Sequence, residues 1–159
     1  MKLLRYGPKG QEKPGTLDAE GRIRDLSGVV ADITPDQLHG PALEALKAID
    51  PTTLPLVEGQ PRYGVPINGV RKFLAIGLNY ADHAKELAFK APEEPLAFLK
   101  GEASLTGHNG FTVRPAGVQH MHYECELAVV IGRTAKRVKK ADAQDFVAGY
   151  TVANDYAIR

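Results

Sequence analysis

The sequence predicts a mixed, β-rich α+β fold. Short apolar runs rich in β-branched and aromatic residues recur along the chain, separated by Gly or Pro, as in antiparallel strands and their turns. Two longer stretches have the composition and spacing of helices, and there are no internal repeats or low-complexity tracts. At 159 residues, the chain has the length of one domain, or of a small domain plus part of a second.

Residues 1–70 are predicted to form a small N-terminal α/β domain followed by a linker. Strand-like segments cover residues 2–6 and 16–26, and residues 38–49 carry Leu and Ile at spacings that favour an amphipathic helix. Four prolines between residues 51 and 66 are typical of a linker. Three glycines are predicted to mark turns in and between the strands, namely Gly10, Gly15 and Gly21.

The rest of the chain is predicted to alternate strands with one further helix and a short helix over residues 141–146. A buried strand over residues 73–76 leads into a helix over 81–90, with Asn79 or Asp82 as its cap. The run YECELAVVIG at 123–132 has the composition of a strand buried on both faces. A second strand, 149–153, is predicted to end just before Asn154 and Asp155.

Glu124 and Glu126 lie two residues apart on a predicted strand, so their side chains share one face. Burying two adjacent carboxylates is costly unless a proton or a cation compensates them, and hard divalent cations prefer oxygen ligands. Asp155, at the end of the next predicted strand, would be a natural third ligand. The same spacing also fits two glutamates that face water on an edge strand, so both interpretations stay open.

Two histidines just upstream allow a different metal site. If the strand began early, His120 and His122 would share the face of the two glutamates, which would favour zinc or iron. Pro115 and Gly117 indicate instead that the strand starts late. We therefore expect the histidines to support the site by hydrogen bonding or to lie in solvent at the strand entry.

His83 and Glu86 are three residues apart on a predicted helix and should be neighbours on its surface. A carboxylate that orients a histidine makes it a competent general base near neutral pH. An ordinary surface pair without a catalytic role has the same spacing.

Lys100 follows the apolar run 96–99 and could bind a substrate carboxylate or simply be solvated.

Cys125, the single cysteine, should point away from the two glutamates and is predicted to be a packed thiol. A lone cysteine suits a reducing compartment, so we expect a cytoplasmic protein.

The formal net charge of +1 excludes the basic surface that nucleic acid or an anionic membrane would need. No apolar run has the length of a membrane span.

Four blocks of the sequence together resemble the fumarylacetoacetate hydrolase family: GLNYADHAKE, EPLAFLKG, HYECELAVVIGR and GYTVANDYAIR. The similarity is strong over residues 72–159 and loose over the N-terminal part. The residues in these blocks are most similar to those of the homoprotocatechuate-pathway branch of that family. This branch contains 2-hydroxyhepta-2,4-diene-1,7-dioate isomerase and 5-oxopent-3-ene-1,2,5-tricarboxylate decarboxylase.

The resemblance implies a β-sandwich roll that forms a homodimer and holds Mg²⁺, Mn²⁺ or Ca²⁺. It implies that the metal ligands are Glu124, Glu126 and Asp155. It also implies a lid helix whose His83 and Glu86 order over the site, with Gly77 as a hinge, and move a proton or activate water. Leu78 departs from the pattern, because some members place Arg there to contact a substrate carboxylate.

The resemblance further implies that the roll is incomplete here, since the family's catalytic fold continues beyond the GYTVANDYAIR block. Residues 71–159 would then be the first part of a catalytic domain, and we expect this chain alone to be an inefficient catalyst. The function implied is metal-dependent chemistry on a small 2-oxo or 2-hydroxydienoic acid through a metal-stabilised enolate, giving isomerisation or decarboxylation in aromatic catabolism.

Three alternatives to this function remain open. The first is a carbon–carbon bond hydrolase of the fumarylacetoacetate or acylpyruvate type, since the same enolate serves both reactions. The second is a zinc or iron enzyme that uses His120 and His122. The third is an inactive fragment that associates with a partner subunit.

Overall fold

The computed structural model describes residues 1–90 and 92–158, so Arg159, the last residue of the GYTVANDYAIR block, lies outside the described residues. The described residues form two compact units, one made of 1–68 with 107–159 and the other of 69–106. Strands and short helices alternate in both, which confirms the mixed, β-rich α+β class. The division into domains at residue 70 stays a prediction.

A three-stranded antiparallel sheet opens the chain, with β1 at Leu3–Tyr6, β2 at Lys13–Leu17 and β3 at Ile23–Asp25. The predicted turn at Gly21 is confirmed, with φ +78°, and the predicted strand 16–26 consists of the end of β2 and the whole of β3 on either side of that turn. The predicted turn at Gly15 is wrong. Gly15 lies inside β2, where a Cβ atom would come within 3.0 Å of the Tyr6 ring, so close packing explains this glycine.

The core of this sheet consists of Leu4, Tyr6 and Ile23, and partly buried apolar side chains pack against it: Leu17, Val57 and Tyr63. Burial, followed by the charge and hydrogen bond of Asp25, raises the pKa of Tyr6 to about 12. The tyrosine hydroxyl is thus held neutral inside the sheet's core.

Helix α1 spans Gly40–Lys47 and lies between two short 3-10 helices, Pro35–Gln37 and Pro51–Thr53. Its buried side is marked by Leu46, and Leu38 just before it is buried as well. The amphipathic helix predicted over 38–49 is confirmed, although it is shorter at both ends.

A buried ion pair ties the first strand to later residues of the same unit. Arg5 donates from Nε to Asp32 Oδ1 at 2.6 Å and from a terminal nitrogen to Oδ2 at 3.0 Å. Asn68 donates its side-chain amide to the same carboxylate at 2.8 Å. Arg5 is only 8% exposed, and its charge is compensated mainly by Asp32, with the Glu12 carboxylate 3.8 Å away.

The unit 69–106 contains β4 at Phe73–Gly77 and β5 at Leu96–Lys100, paired antiparallel, with helix α2 at Ala81–Glu86 between them. The helix begins after Tyr80 without a side-chain cap, so the predicted cap at Asn79 or Asp82 is wrong. Within 1–90 and 92–158, no helix has the length and apolar character needed to cross a bilayer.

Helix α2 ends four residues earlier than predicted. Ala88 adopts the left-handed conformation at φ +55°, and two hydrogen bonds close the helix end, from the Ala88 N–H to Lys85 O and from the Phe89 N–H to Ala84 O. This is the Schellman pattern, with alanine where glycine is usual. The backbone therefore leaves the helix despite helix-favouring composition up to Lys90.

The last two strands form an antiparallel ribbon, β6 at His122–Ile131 and β7 at Val147–Ala157, joined through a 3-10 helix at Lys140–Phe146. The pairing continues to its last rung, where His122 faces Ala157. The predicted end of the second strand before Asp155 is therefore wrong, because ladder hydrogen bonding extends β7 through that residue.

The ribbon is not buried on both faces, contrary to the prediction from its composition. Exposure alternates along β6, with Glu124, Glu126 and Ala128 half-buried and the residues between them exposed. Cys125 is exposed, so the prediction of a packed thiol is also wrong. The physical reason is that the face carrying Cys125 lies uncovered in this structure.

Asp32→Asn should destabilise the chain by roughly 1–3 kcal/mol, because it removes the carboxylate that accepts two hydrogen bonds from Arg5 and leaves only Glu12, 3.8 Å away, as a counter-charge. The measurement is urea unfolding followed by far-UV circular dichroism. Glu44→Gln is the control, since Glu44 forms an exposed ion pair with Lys47 and should cost under about 0.5 kcal/mol. Equal effects of the two substitutions would contradict the assignment of a buried pair.

The same pair predicts how stability depends on pH. Burial raises the pKa of Asp32, but hydrogen bonds from Arg5, Asn68 and the Ile33 N–H outweigh it and lower the pKa overall. Folding thus favours the ionised carboxylate, so this contribution is present above about pH 4 and declines as pH falls further. In the Asp32→Asn variant, the free energy of unfolding should therefore depend less on pH in the acid range.

Gly132→Ala should destabilise the chain by roughly 1–3 kcal/mol, because a Cβ atom there would collide with the Leu38 carbonyl oxygen and lie 2.8 Å from the Ala148 Cβ. Gly149→Ala is the matched control in the same ribbon, where nothing lies within 4 Å of an added Cβ. Urea unfolding of both variants checks the difference. If Gly132→Ala were as well tolerated as Gly149→Ala, the close contact with residue 38 would be wrong.

Candidate functional site

The three predicted metal ligands lie at one end of the β6–β7 ribbon. Glu124 on β6 is directly opposite Asp155 on β7, and Glu126 is opposite Ala153. Alternation along each strand puts all three carboxylates on the same half-buried face. The structure therefore brings together, on adjacent strands, residues that are about thirty positions apart in sequence.

The side chain of Asn154 helps to hold this end of the ribbon. Its Oδ1 accepts a hydrogen bond from the backbone N–H of Glu124 at 3.2 Å, and its Nδ2 donates to the Tyr156 hydroxyl at 3.1 Å. Asn154 thereby links the backbone of one predicted ligand to the strand that carries the other. Sequence reasoning assigned Asn154 no role, and its only signal was its position beside Asp155.

The donor chemistry of this face suits a divalent cation. Glu124 and Asp155 are like charges directly across a strand pair, an arrangement that is unfavourable unless something compensates it. Carboxylate oxygens are the donors that Mg²⁺, Mn²⁺ and Ca²⁺ prefer. Over residues 1–90 and 92–158, no three His, Cys, Asp or Glu side chains are gathered closely enough to hold a metal ion as they stand.

The two histidines upstream of the glutamates, His120 and His122, lie only partly where the sequence predicts them. Strand β6 begins at His122, one residue before the predicted start, and His122 lies on the face of Glu124. His120 lies outside the strand. The loop before it is closed by Arg114, which donates to the carbonyl oxygens of Val118 at 2.8 Å and Gln119 at 3.2 Å.

His83 and Glu86 lie on α2, as the spacing predicted. The His83 Nδ1 is 3.9 Å from the Glu86 Oε2, which is longer than a hydrogen bond. The Glu86 side chain is 78% exposed and the His83 side chain 32%. This is a loose surface pair, so its contribution to stability is small, and a catalytic role requires the pair to tighten in the presence of substrate.

Lys100 is the last residue of β5, opposite Phe73, and is half-buried. Its Nζ lies 5.3 Å from the centre of the Phe98 ring, within the range of a cation–π interaction. Lys100, His83 and Glu86 all belong to the unit 69–106, whereas the three carboxylates belong to the other unit.

The turn between β4 and α2 contains an unusual backbone conformation. Leu78 adopts φ +53°, a region that costs a non-glycine residue of order 1 kcal/mol or more. Gly77, the predicted hinge, is the final residue of β4 and is paired with Leu96. Strain at this turn is therefore located at Leu78, next to the predicted hinge.

Residues 72–159, more than half of the chain, match the sequence profile of the family described as "Fumarylacetoacetate (FAA) hydrolase C-terminal". The chain belongs to the fumarylacetoacetate hydrolase family. The matched range includes every predicted site residue of this family member. Enzymes of the family generally use a divalent metal ion.

Several relatives match this family member along its length. It is 55% identical over 159 residues to a Burkholderia ambifaria protein named "Putative hydrolase". The fumarylacetoacetate hydrolase of Exiguobacterium antarcticum matches 99% of the chain with a TM-score of 0.79 at 26% identity. The 5-carboxymethyl-2-hydroxymuconate delta-isomerase of Mycobacterium smegmatis matches 99% with a TM-score of 0.66 at 29% identity.

The relatives are longer than this chain. It spans 56% of the Burkholderia protein, 56% of the Exiguobacterium chain and 55% of the Mycobacterium chain. The match thus covers about half of each relative while using essentially all of this chain. The fold of the family is therefore present here in part.

Proposed function

We propose that this chain supplies the metal-binding and proton-transfer residues of an enzyme that acts on a small 2-oxo or 2-hydroxydienoic acid. The reaction proceeds through an enolate and leads to isomerisation or decarboxylation. The observation that carries the proposal is the rung of the β6–β7 ribbon where Glu124 faces Asp155, with Glu126 on the same half-buried face. Carboxylate oxygens are the donors that a divalent cation prefers, and the three side chains would have to converge to hold one.

In this proposal, Glu124, Glu126 and Asp155 hold Mg²⁺ or Mn²⁺, with Ca²⁺ as a further candidate. A bound divalent cation would supply positive charge next to the keto oxygen, where negative charge develops as the substrate loses a proton or a carboxyl group. Asn154 keeps the backbone of Glu124 in register with β7.

The proton is moved by His83, whose imidazole takes it from the substrate or from water. Glu86, three residues along α2, orients the ring once the pair closes from its present 3.9 Å. In this proposal, the Lys100 ammonium binds a substrate carboxylate. In the present structure, the Lys100 ammonium lies near the Phe98 ring. These residues therefore divide into a metal-holding group and a group that moves the proton and positions the substrate.

A carbon–carbon bond hydrolase of the fumarylacetoacetate or acylpyruvate type is the second candidate. It is favoured by the TM-score of 0.79 to the Exiguobacterium fumarylacetoacetate hydrolase and by the name of the Burkholderia relative. Its chemistry uses the same stabilisation of a developing enolate, with water activated by His83. Product analysis with an acylpyruvate and with a 2-hydroxydienoic acid separates the two reactions.

Assembly as a homodimer, a cytoplasmic location and a role in aromatic catabolism belong to the same proposal. Two alternative functions can be tested against this proposal. A transition metal at full occupancy that is lost on His122→Ala would favour a zinc or iron enzyme using His120 and His122. A folded chain that binds no divalent cation would favour an association module.

Glu124→Gln and Asp155→Asn should each weaken Mn²⁺ binding at least about tenfold, because each removes a hard anionic ligand. The free energy of unfolding should change little, since each substitution also relieves like-charge repulsion. Mn²⁺ titration followed by electron paramagnetic resonance measures the affinity. Glu102→Gln, at an exposed glutamate outside the ribbon, is the control and should leave it unchanged. Stoichiometric Mn²⁺ binding by the Glu124→Gln/Glu126→Gln double variant would contradict the assignment of these residues as metal ligands.

His83→Ala should lower kcat by a factor on the order of 10² to 10⁴, because proton transfer loses its base. The affinity for oxalate, an inert chelating acid, should change far less. Proton exchange at the α-carbon of a 2-oxo acid in D₂O measures turnover in an active preparation that contains this chain. Lys85→Ala, on the exposed surface of the same helix, is the control. An unchanged kcat would exclude His83 from the mechanism.

A further inference from the structure

The connection between β6 and β7 carries a dense run of positive charge. Five of the chain's 20 Lys and Arg residues lie within residues 133–140, whereas none of its 19 Asp and Glu residues does. We call this segment the basic loop. Acidic residues elsewhere in the chain offset its charge, so the formal net charge of +1 does not reveal it. All five cationic side chains are exposed: Arg133, Lys136, Arg137, Lys139 and Lys140.

Two contacts close the basic loop at its base. The Gly132 N–H donates to the Phe146 carbonyl oxygen at 2.8 Å, next to the last rung of the ribbon. The central carbon of the Arg133 guanidinium lies 4.2 Å from the centre of the Phe146 ring, which is a close cation–π contact. The two ends of the loop are thus held together, and Arg133 is engaged at this base.

The other four cations are available to an anion. Within residues 1–90 and 92–158, no ion pair involves Lys136, Arg137, Lys139 or Lys140. Arg137 adopts the left-handed conformation at φ +54°, a strained region for a residue other than glycine. Strained residues of this kind cluster at ligand-binding sites. The loop therefore combines four cations that lack a carboxylate partner with a strained backbone at one of them.

We propose that the basic loop binds a compact phosphate-bearing anion, such as inorganic triphosphate or the triphosphate of a nucleotide. A triphosphate concentrates several negative charges in a small volume, which matches cations confined to one short, closed loop. Arginine binds phosphate oxygens through parallel N–H donors, and lysine binds them as a point charge. Arg137 would bind in the first way, and the three lysines in the second.

A nucleic acid or an anionic membrane fits the loop less well than a compact anion. Both present extended negative surfaces and bind broad basic patches. Outside the basic loop, Asp and Glu outnumber Lys and Arg, and Asp142 and Asp145 follow directly in the chain. An extended polyanion would therefore lie against carboxylates beside the loop, whereas a triphosphate would not.

The basic loop lies at the opposite end of the ribbon from the candidate metal ligands. Strand β6 continues from Glu124 to Ile131, which separates the two ends by about 20–25 Å at the rise of an extended strand. Anion binding at the loop therefore requires neither a metal ion nor a 2-oxo acid. Its failure can be distinguished from a failure of the proposed function, because the two are measured separately.

The first test is calorimetric titration of the 159-residue chain with inorganic triphosphate in metal-free buffer. We expect one saturable site that binds triphosphate at least about tenfold more tightly than orthophosphate and weakens as salt is added. Titration with ATP separates the two sources of the ligand. Equal affinities assign recognition to the phosphates alone, and tighter binding of ATP assigns part of it to the nucleoside.

Lys139→Gln/Lys140→Gln should weaken triphosphate binding at least about tenfold, because it removes two of the four available cations. Lys9→Gln/Lys13→Gln is the matched control. It removes the same net charge from exposed positions at the N-terminal sheet and should change the affinity less than about twofold. All these side chains are exposed, so the urea midpoints of both variants should remain near that of the parent chain.

Arg137→Gly separates binding from folding, because glycine adopts the left-handed conformation without strain. The urea midpoint should not fall, while triphosphate binding weakens at least about threefold. Asn109→Gly is the control at another exposed left-handed residue, with φ +57°, and should leave binding unchanged. Absence of saturable triphosphate binding, equal weakening by the loop and control variants, or tighter binding of a DNA duplex than of triphosphate would each overturn the proposal.

Discussion

The antiparallel register between β6 and β7 is the constraint on which the candidate site depends. Ladder hydrogen bonds from His122–Ala157 to Val130–Gly149 place Glu124 opposite Asp155, and Asn154 adds a side-chain bond to the Glu124 backbone. A slip of one residue would move Asp155 to the apolar side and separate the carboxylates. The shared face of the three candidate ligands is therefore a consequence of strand pairing.

The two faces of the same ribbon differ in chemistry. One face carries Glu124, Glu126 and Asp155, and the other carries exposed apolar side chains such as Tyr123 and Leu127. Within the described residues, the three carboxylates are not gathered into a cluster that could hold a metal ion. Strand pairing therefore supplies the shared face of the proposed ligands, and binding requires the three side chains to converge.

Much of the fold followed from local patterns, and the exceptions share a cause. The α1 helix could be predicted from periodicity and the strand at 73–76 from composition, although Leu74 and Ile76 in that strand are exposed and the prediction that it is buried is wrong. The early end of α2 could not, because alanine rarely adopts the left-handed conformation that Ala88 has. The burial of both ribbon faces was predicted wrongly, since composition shows what a strand prefers to contact and not what is present to contact it.

The sequence by itself determined that Glu124 and Glu126 share a face and that His83 and Glu86 are neighbours, because backbone periods of 2 and 3.6 act over a few residues. Its four blocks that resemble the fumarylacetoacetate hydrolase family also indicated the correct family. Only the tertiary structure decided that Asp155 lies opposite Glu124 inside a longer strand, and that the apolar face of the ribbon is exposed. Both depend on pairing between residues about thirty positions apart and on which surfaces are covered, and these are set by packing across the whole fold.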